Sequence, residues 1–180
     1  MFELSFRLLL VLAATNFLRI GVQLIVGAWA VVRVTGRMDA AGTLLLISTV
    51  ANLIFSPSLG AMVDSFTKKK SVLLLGHLGI VVAGTIPFLG QMLLTTGLTF
   101  GGIAVAVIFA AAFSVLTGSS MDYYLKTHLP ELGRTRRLAA LNSTSQIALI
   151  IGTALGGLLV SRTDAGYAFL FTSLCGAVLG

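Results

Sequence analysis

Between Lys70 and Asp122 the chain carries no Asp, Glu, Lys or Arg, and a single histidine, His77, is its only titratable basic group there. Similar charge-free runs recur on either side, and 57% of the residues are apolar. A helix needs roughly 20 mostly apolar residues to cross about 30 Å of hydrocarbon. In lipid every backbone polar group must be satisfied internally, which leaves helices and closed barrels as the available forms. Runs this long do not fit the core of a small soluble domain. The sequence predicts an all-α polytopic membrane protein whose solvent is the bilayer.

Reading between charges gives six spans, about Leu8–Val32, Ala41–Val63, Ser71–Leu89, Thr99–Gly118, Leu138–Val160 and Gly166–Gly180, all within one transmembrane bundle that occupies residues 1–180. At 1.5 Å per residue the last span reaches only about 22 Å. It reads as incomplete, and the chain as part of something longer. The connectors are short and carry breakers: Thr35-Gly36-Arg37-Met38-Asp39, Asp64-Ser65-Phe66-Thr67-Lys68 and the polar Gln91–Gly97. Pro87 is expected to kink or end the third span. The long connector, Ser119–Arg137 with Pro130 and Gly133, is polar enough to lie on the membrane surface. The first apolar run continues past the length of a signal peptide and no small-residue cleavage pattern follows it.

A net charge of +6 would raise nucleic acid as a partner in a soluble chain, but the positions of the charges answer otherwise. Arg7, Lys68, Lys69, Lys70, Lys126, Arg134, Arg136 and Arg137 fall on one side of the threaded chain, against Arg33, Arg37 and Arg162 on the other. The positive-inside rule then puts the N-terminus and the connectors after spans two and four in the cytoplasm. The lone cysteine, Cys175, allows no internal disulfide. No metal-ligand spacing, nucleophile with its base, phosphate loop or cofactor motif is present, so no covalent chemistry is expected.

The strongest candidate for function is Arg19, near the middle of span one, where a charge is costly unless it faces water or a partner. Asn16 and Gln23 share its face at i−3 and i+4. No acidic residue within a span offers itself as counter-charge, so Arg19 either lines a wet cavity or ties helices together through hydrogen bonds. In span two Ser48, Asn52 and Ser56 form a polar stripe that can act as interhelical glue or as cavity wall. His77 reads as a packing residue before a proton shuttle. Span five presents Asn142, Ser145 and Gln146, then Gly152, Thr153, Gly156 and Gly157. Small residues spaced by four admit a close helix neighbour, and Gly157 is expected to widen that groove.

The loop after span two runs Gly60-Ala-Met-Val-Asp64-Ser-Phe-Thr-Lys68-Lys69-Lys70-Ser71. Its bland reading is a stop signal of positive charges with Ser71 as N-cap of the next helix. The loop also resembles the Gly-x-x-x-Asp-Arg-x-Gly-Arg-Arg motif between helices two and three of the major facilitator superfamily of secondary transporters. Gly60, Asp64, Lys68 and Lys69 match it, while Ser65 and Thr67 replace an arginine and the glycine. Phe6-Arg7-Leu8-Leu9, Val34-Thr35-Gly36 and the stretch Arg137–Gln146 with Gly152–Gly157 look like the bacterial exporter branch. In drug and proton antiporters helix five carries Gly-x-x-x-Gly-Pro-x-x-Gly-Gly. Gly152, Gly156 and Gly157 keep its spacing, with Ala148 and Thr153 in place of a glycine and the proline.

The resemblance covers essentially the whole chain and implies the N-terminal six-helix half of a twelve-helix permease in a bacterial inner membrane. Spans one, two, four and five would bound a central cavity, with Asn16, Arg19, Gln23 and Asn52 on its wall. Gly60, Asp64, Lys68 and Lys69 would form a cytoplasmic gate loop. The implied partners are membrane lipid, a small amphipathic substrate, and a missing C-terminal half or second copy of the chain. The helix-four arginine associated with proton coupling has no counterpart. A non-transporting module that binds a partner membrane protein through span five is the alternative, and a membrane-embedded enzyme lacks its constellation.

Overall fold

The computed structural model describes residues 2–93, 99–128 and 133–179; the side chains of residues 2–5, 69, 126, 128, 178 and 179 lie outside that description. Six helices follow in chain order: α1 (Phe2–Thr35), α2 (Met38–Ser65), α3 (Lys69–Leu93), α4 (Phe100–His128), α5 (Arg134–Arg162) and α6 (Ala165–Leu179). Among the described residues there is no strand. Helices α1 to α5 are long and apolar enough to cross a membrane, and α6, with 15 residues, is shorter. The chain is an all-helical protein with membrane-spanning helices.

Helix ends follow local chemistry where the connectors are tight. Gly36 ends α1 with φ 67°, a left-handed conformation open to glycine, and its N–H donates to the Val32 carbonyl at 2.8 Å. Gly133 takes the same left-handed conformation, φ 80°, as N-cap of α5, and its carbonyl accepts from the Arg137 N–H at 3.1 Å. Elsewhere the helices outrun the apolar segments. Pro87 does not end α3, which continues to Leu93, and α2 likewise passes through Pro57. The polar stretch after span four is not a separate connector as far as it is described, because α4 continues as helix to His128. Pro130 and residues 94–98 lie outside the described residues.

Packing makes α1 and α4 the central pair. Helix α1 packs against α5 and α6, α4 against α2 and α3, α3 against α6, and α1 meets α4. Exchanging α1, α2 and α3 for α4, α5 and α6 maps this set of contacts onto itself: α1 with α5 becomes α4 with α2, α1 with α6 becomes α4 with α3, and α1 with α4 and α3 with α6 are unchanged. Three crossings return the chain on the opposite side of the membrane, so this is the pairing pattern of two inverted three-helix units. The contact of α1 with α2, and the slight one of α5 with α6, have no counterpart of similar extent.

One core cluster joins Val22, Val26, Ala30 and Val31 of α1 to Ile103 and Val107 of α4 and Ala168 and Phe169 of α6. A second, toward the N-terminal end of α1, joins Ala13, Met121, Leu125 and Leu141. The exterior is the reverse of a soluble protein's: Leu53 is 74% exposed and Ile150 66%, while Arg19 is 1% exposed. Such a surface is stable against hydrocarbon and would aggregate in water. Trp29 beside Arg33 near one end, and Tyr123 and Tyr124 near the other, sit where interfacial aromatics anchor membrane helices.

Candidate functional site

Helical spacing alone brings Asn16, Arg19 and Gln23 to one face of α1, and the fold adds Ser114 from α4. The Arg19 guanidinium donates from Nη1 to Gln23 Oε1 at 2.6 Å and from Nη2 to Asn16 Oδ1 at 3.2 Å and Ser114 Oγ at 2.9 Å. A longer contact of 3.4 Å runs from Nε to Asn16 Oδ1. These engage four of the five guanidinium N–H groups. All the acceptors are neutral. The ion pairs Arg33–Asp164 and Arg37–Asp39 lie near the helix ends, and no Asp or Glu occurs in the sequence at the depth of Arg19. Ser114 was beyond sequence reading, since nothing local marks a partner 95 residues away.

Beside this network is a half-open cavity of about 130 Å³ lined by α1, α2 and α4. Arg19, Gln23, Ser48, Asn52 and Ser114 supply its polar wall, and Ile20, Leu24, Leu44, Leu45, Val107 and Ala110 its apolar one. Asn16 does not line it; it holds Arg19 from the other side. Span five was expected as a fourth wall, yet α5 contributes no lining residue, because its small-residue face is turned into α1. The polar stripe of α2 is not interhelical glue: Asn52 Nδ2 donates to the Ser48 carbonyl of its own helix at 3.0 Å, and Ser56 is exposed. His77 is buried and its Nδ1 bonds the Leu73 carbonyl at 2.7 Å, one turn back in α3.

Helices α1 and α5 approach to backbone contact. A Cβ at Gly152 would lie 2.2 Å from the Leu18 carbonyl oxygen, and one at Gly156 3.1 Å from both Val22 O and Ile25 Cβ. Gly157 departs from its expected part in the groove, for a Cβ there meets nothing within 4 Å. It points away because consecutive helical residues are about 100° apart. The reciprocal partner is Gly21, whose added Cβ would fall 2.4 Å from Leu149 O. Sequence reading missed it, as it did Gly76 and Gly84 of α3, which meet Thr117 of α4 and Ser173 of α6 at 2.5 and 2.3 Å by the same measure. An isolated glycine announces nothing until its neighbour's position is known.

The gate-loop residues are placed separately from the cavity. A Cβ at Gly60 would lie 4.0 Å from Ser119 Oγ of α4, and Asp64 and Lys68 are exposed at the turn between α2 and α3. Lys69 opens α3, its side chain lying outside the described residues. Ser71 is not the cap: α3 begins two residues earlier, and the Ser71 N–H already donates to Lys68 O at 3.1 Å. Arg137 lies over the Phe6 ring at 5.6 Å, so the basic start of α5 and the start of α1 share one end. At the other end Arg33 pairs with Asp164 at 3.1 Å, and Arg37 with Asp39, whose hydrogen bond holds the Arg37 guanidinium above its ordinary pKa. There Gln91 Oε1 accepts the orphan Gly166 N–H of α6 at 2.7 Å.

Among the described residues no three His, Cys, Asp or Glu side chains converge to hold a metal ion. What the site offers is a fixed, desolvated cation and four neutral polar groups around a space the size of a small organic molecule. Such an arrangement can bind and orient; it holds no nucleophile with a base. Comparison with protein-family models, with curated proteins and with solved structures finds no match to this chain.

Proposed function

We propose that the chain is the N-terminal six-helix half of a major facilitator type secondary transporter that exports small amphipathic compounds by alternating access. The observation that carries this reading is the cavity midway along α1, where Arg19, Gln23, Asn52 and Ser114 gather inside a bundle that otherwise exposes leucine and isoleucine. Polar and ionisable groups at bilayer depth are expensive and mark substrate paths. The inverted pairing of α1–α3 with α4–α6 supports the same reading, since transporters of this kind are built from inverted repeats with the site near the midplane. The loop from Gly60 to Lys69 adds its motif. In this reading the protein resides in a bacterial inner membrane with its N-terminus and the basic loops in the cytoplasm.

Alternating access takes two bundles about one site, so the working unit contains a second copy of the chain or a C-terminal half. Expression in a bacterium stripped of its main efflux pumps is expected to lower accumulation of fluorescent amphipathic dyes, and crosslinking is expected to find the active species assembled. Unchanged accumulation overturns the exporter reading. Pumping against a gradient by liposomes that contain only monomers overturns the half-permease reading. The alternative of a docking module working through α5 gains no support, because Gly152 and Gly156 are already filled by α1.

A further inference from the structure

The three acceptors of Arg19 divide by position. Asn16 takes two of the contacts and is buried outside the cavity lining, whereas Gln23 and Ser114 line the cavity together with Arg19. A buried guanidinium with no carboxylate at its depth meets only neutral dipoles. Hydrogen bonds from a cation to an anion are roughly twice as strong as those to neutral groups, and a guanidinium fork matches an oxyanion in a bidentate way. Gln23 and Ser114 sit on rotatable side chains, and a ligand entering the cavity can turn them aside.

We propose that this cavity is a binding site for a small organic anion, in which Gln23 and Ser114 are placeholders that yield Arg19 to the ligand's oxyanion. The apolar wall of Leu24, Leu44, Leu45 and Val107 takes the ligand's hydrocarbon body. The half-open cavity of about 130 Å³ is close to the engineered cavity of about 150 Å³ that admits benzene, so it takes the body of a single ring, with the acidic group in the place vacated by Gln23 and Ser114. Ser48 and Asn52 on α2 face the anion across the cavity, and Asn52, whose amide is engaged with Ser48, leaves its carbonyl for a ligand donor.

Calling this anion a substrate rests on the transporter reading; its binding does not. The test is equilibrium binding to the purified chain in lipid nanodiscs of four probes of one shape: benzoate, benzenesulfonate, benzamide and benzylammonium. The two anions are expected to bind at least about ten-fold more tightly than the amide or the amine. Arg19→Gln is expected to abolish that preference and Ser114→Ala to leave anion affinity equal or higher, because a competitor has gone. Equal binding of benzamide or benzylammonium in the unaltered chain overturns the proposal without need of any variant. So does loss of anion binding in Ser114→Ala with Arg19 intact. Dye export by cells is read separately: anion binding without export sinks the transporter reading alone, and export of neutral compounds without anion preference sinks this one alone.

Discussion

Arg19 and Asn16 are unequal partners. Removing Arg19 strands the buried Asn16 amide, at a cost of about 1–3 kcal/mol, while Gln23 and Ser114 line the cavity, where water can replace the lost donor. Removing Asn16 leaves a buried cation short of two contacts, and hydrogen bonds to a charged group contribute about 1.5–3 kcal/mol each. Asn16→Leu is therefore expected to destabilise the protein more than Arg19→Leu, and the double substitution to recover most of the Asn16→Leu loss. Unfolding in mixed detergent micelles reads the order. The opposite order would mean that water reaches Arg19 and solvates it without Asn16. Arg19 itself was legible, because a charge in an apolar run is visible in one dimension. Its partner Ser114 was not, being one of many hydroxyls until the crossing of α1 with α4 selects it.

For the helices, hydropathy reports where the membrane is and backbone chemistry reports where the helix ends. The two differ most at α4, where Asp122, Tyr123 and Tyr124 belong to the interface yet remain helical to His128. The Gly-x-x-x-Gly spacing of α5 was readable and correctly names two contacts, while Gly157 fails because adjacency in sequence is not adjacency on a face. Gly152→Leu is expected to cost more than about 3 kcal/mol, beyond the usual range for overpacking, since its obstacle is Leu18 backbone that has no rotamer to change. Gly157→Leu faces open space and is expected to fall within about 0.5 kcal/mol of the parent. Thermal unfolding of the two variants side by side decides it, and similar losses would show that the seam between α1 and α5 lies elsewhere.

At the scale of the whole molecule, the proposed orientation puts the end shared by Phe6, Lys68 and Arg137, where basic residues gather, in the cytoplasm. With Cys175 changed to Ser, a cysteine placed at Lys68 or Arg134 is expected to resist an impermeant thiol reagent applied to intact cells, while one at the exposed Met38 reacts. Labelling of position 68 from outside would invert the topology. The backbone contact of Gly21 and Gly152 carries a mechanical meaning as well. Where two helices touch main chain to main chain, no layer of side chains remains to slip or repack, so α1 and α5 travel as a single stiff strut. Beyond the turning of side chains, the cavity can then change shape by swinging α2 and α4 across that strut, and spin-label distances between α1 and α5 are expected to stay constant while those from α1 to α2 shift when a ligand enters.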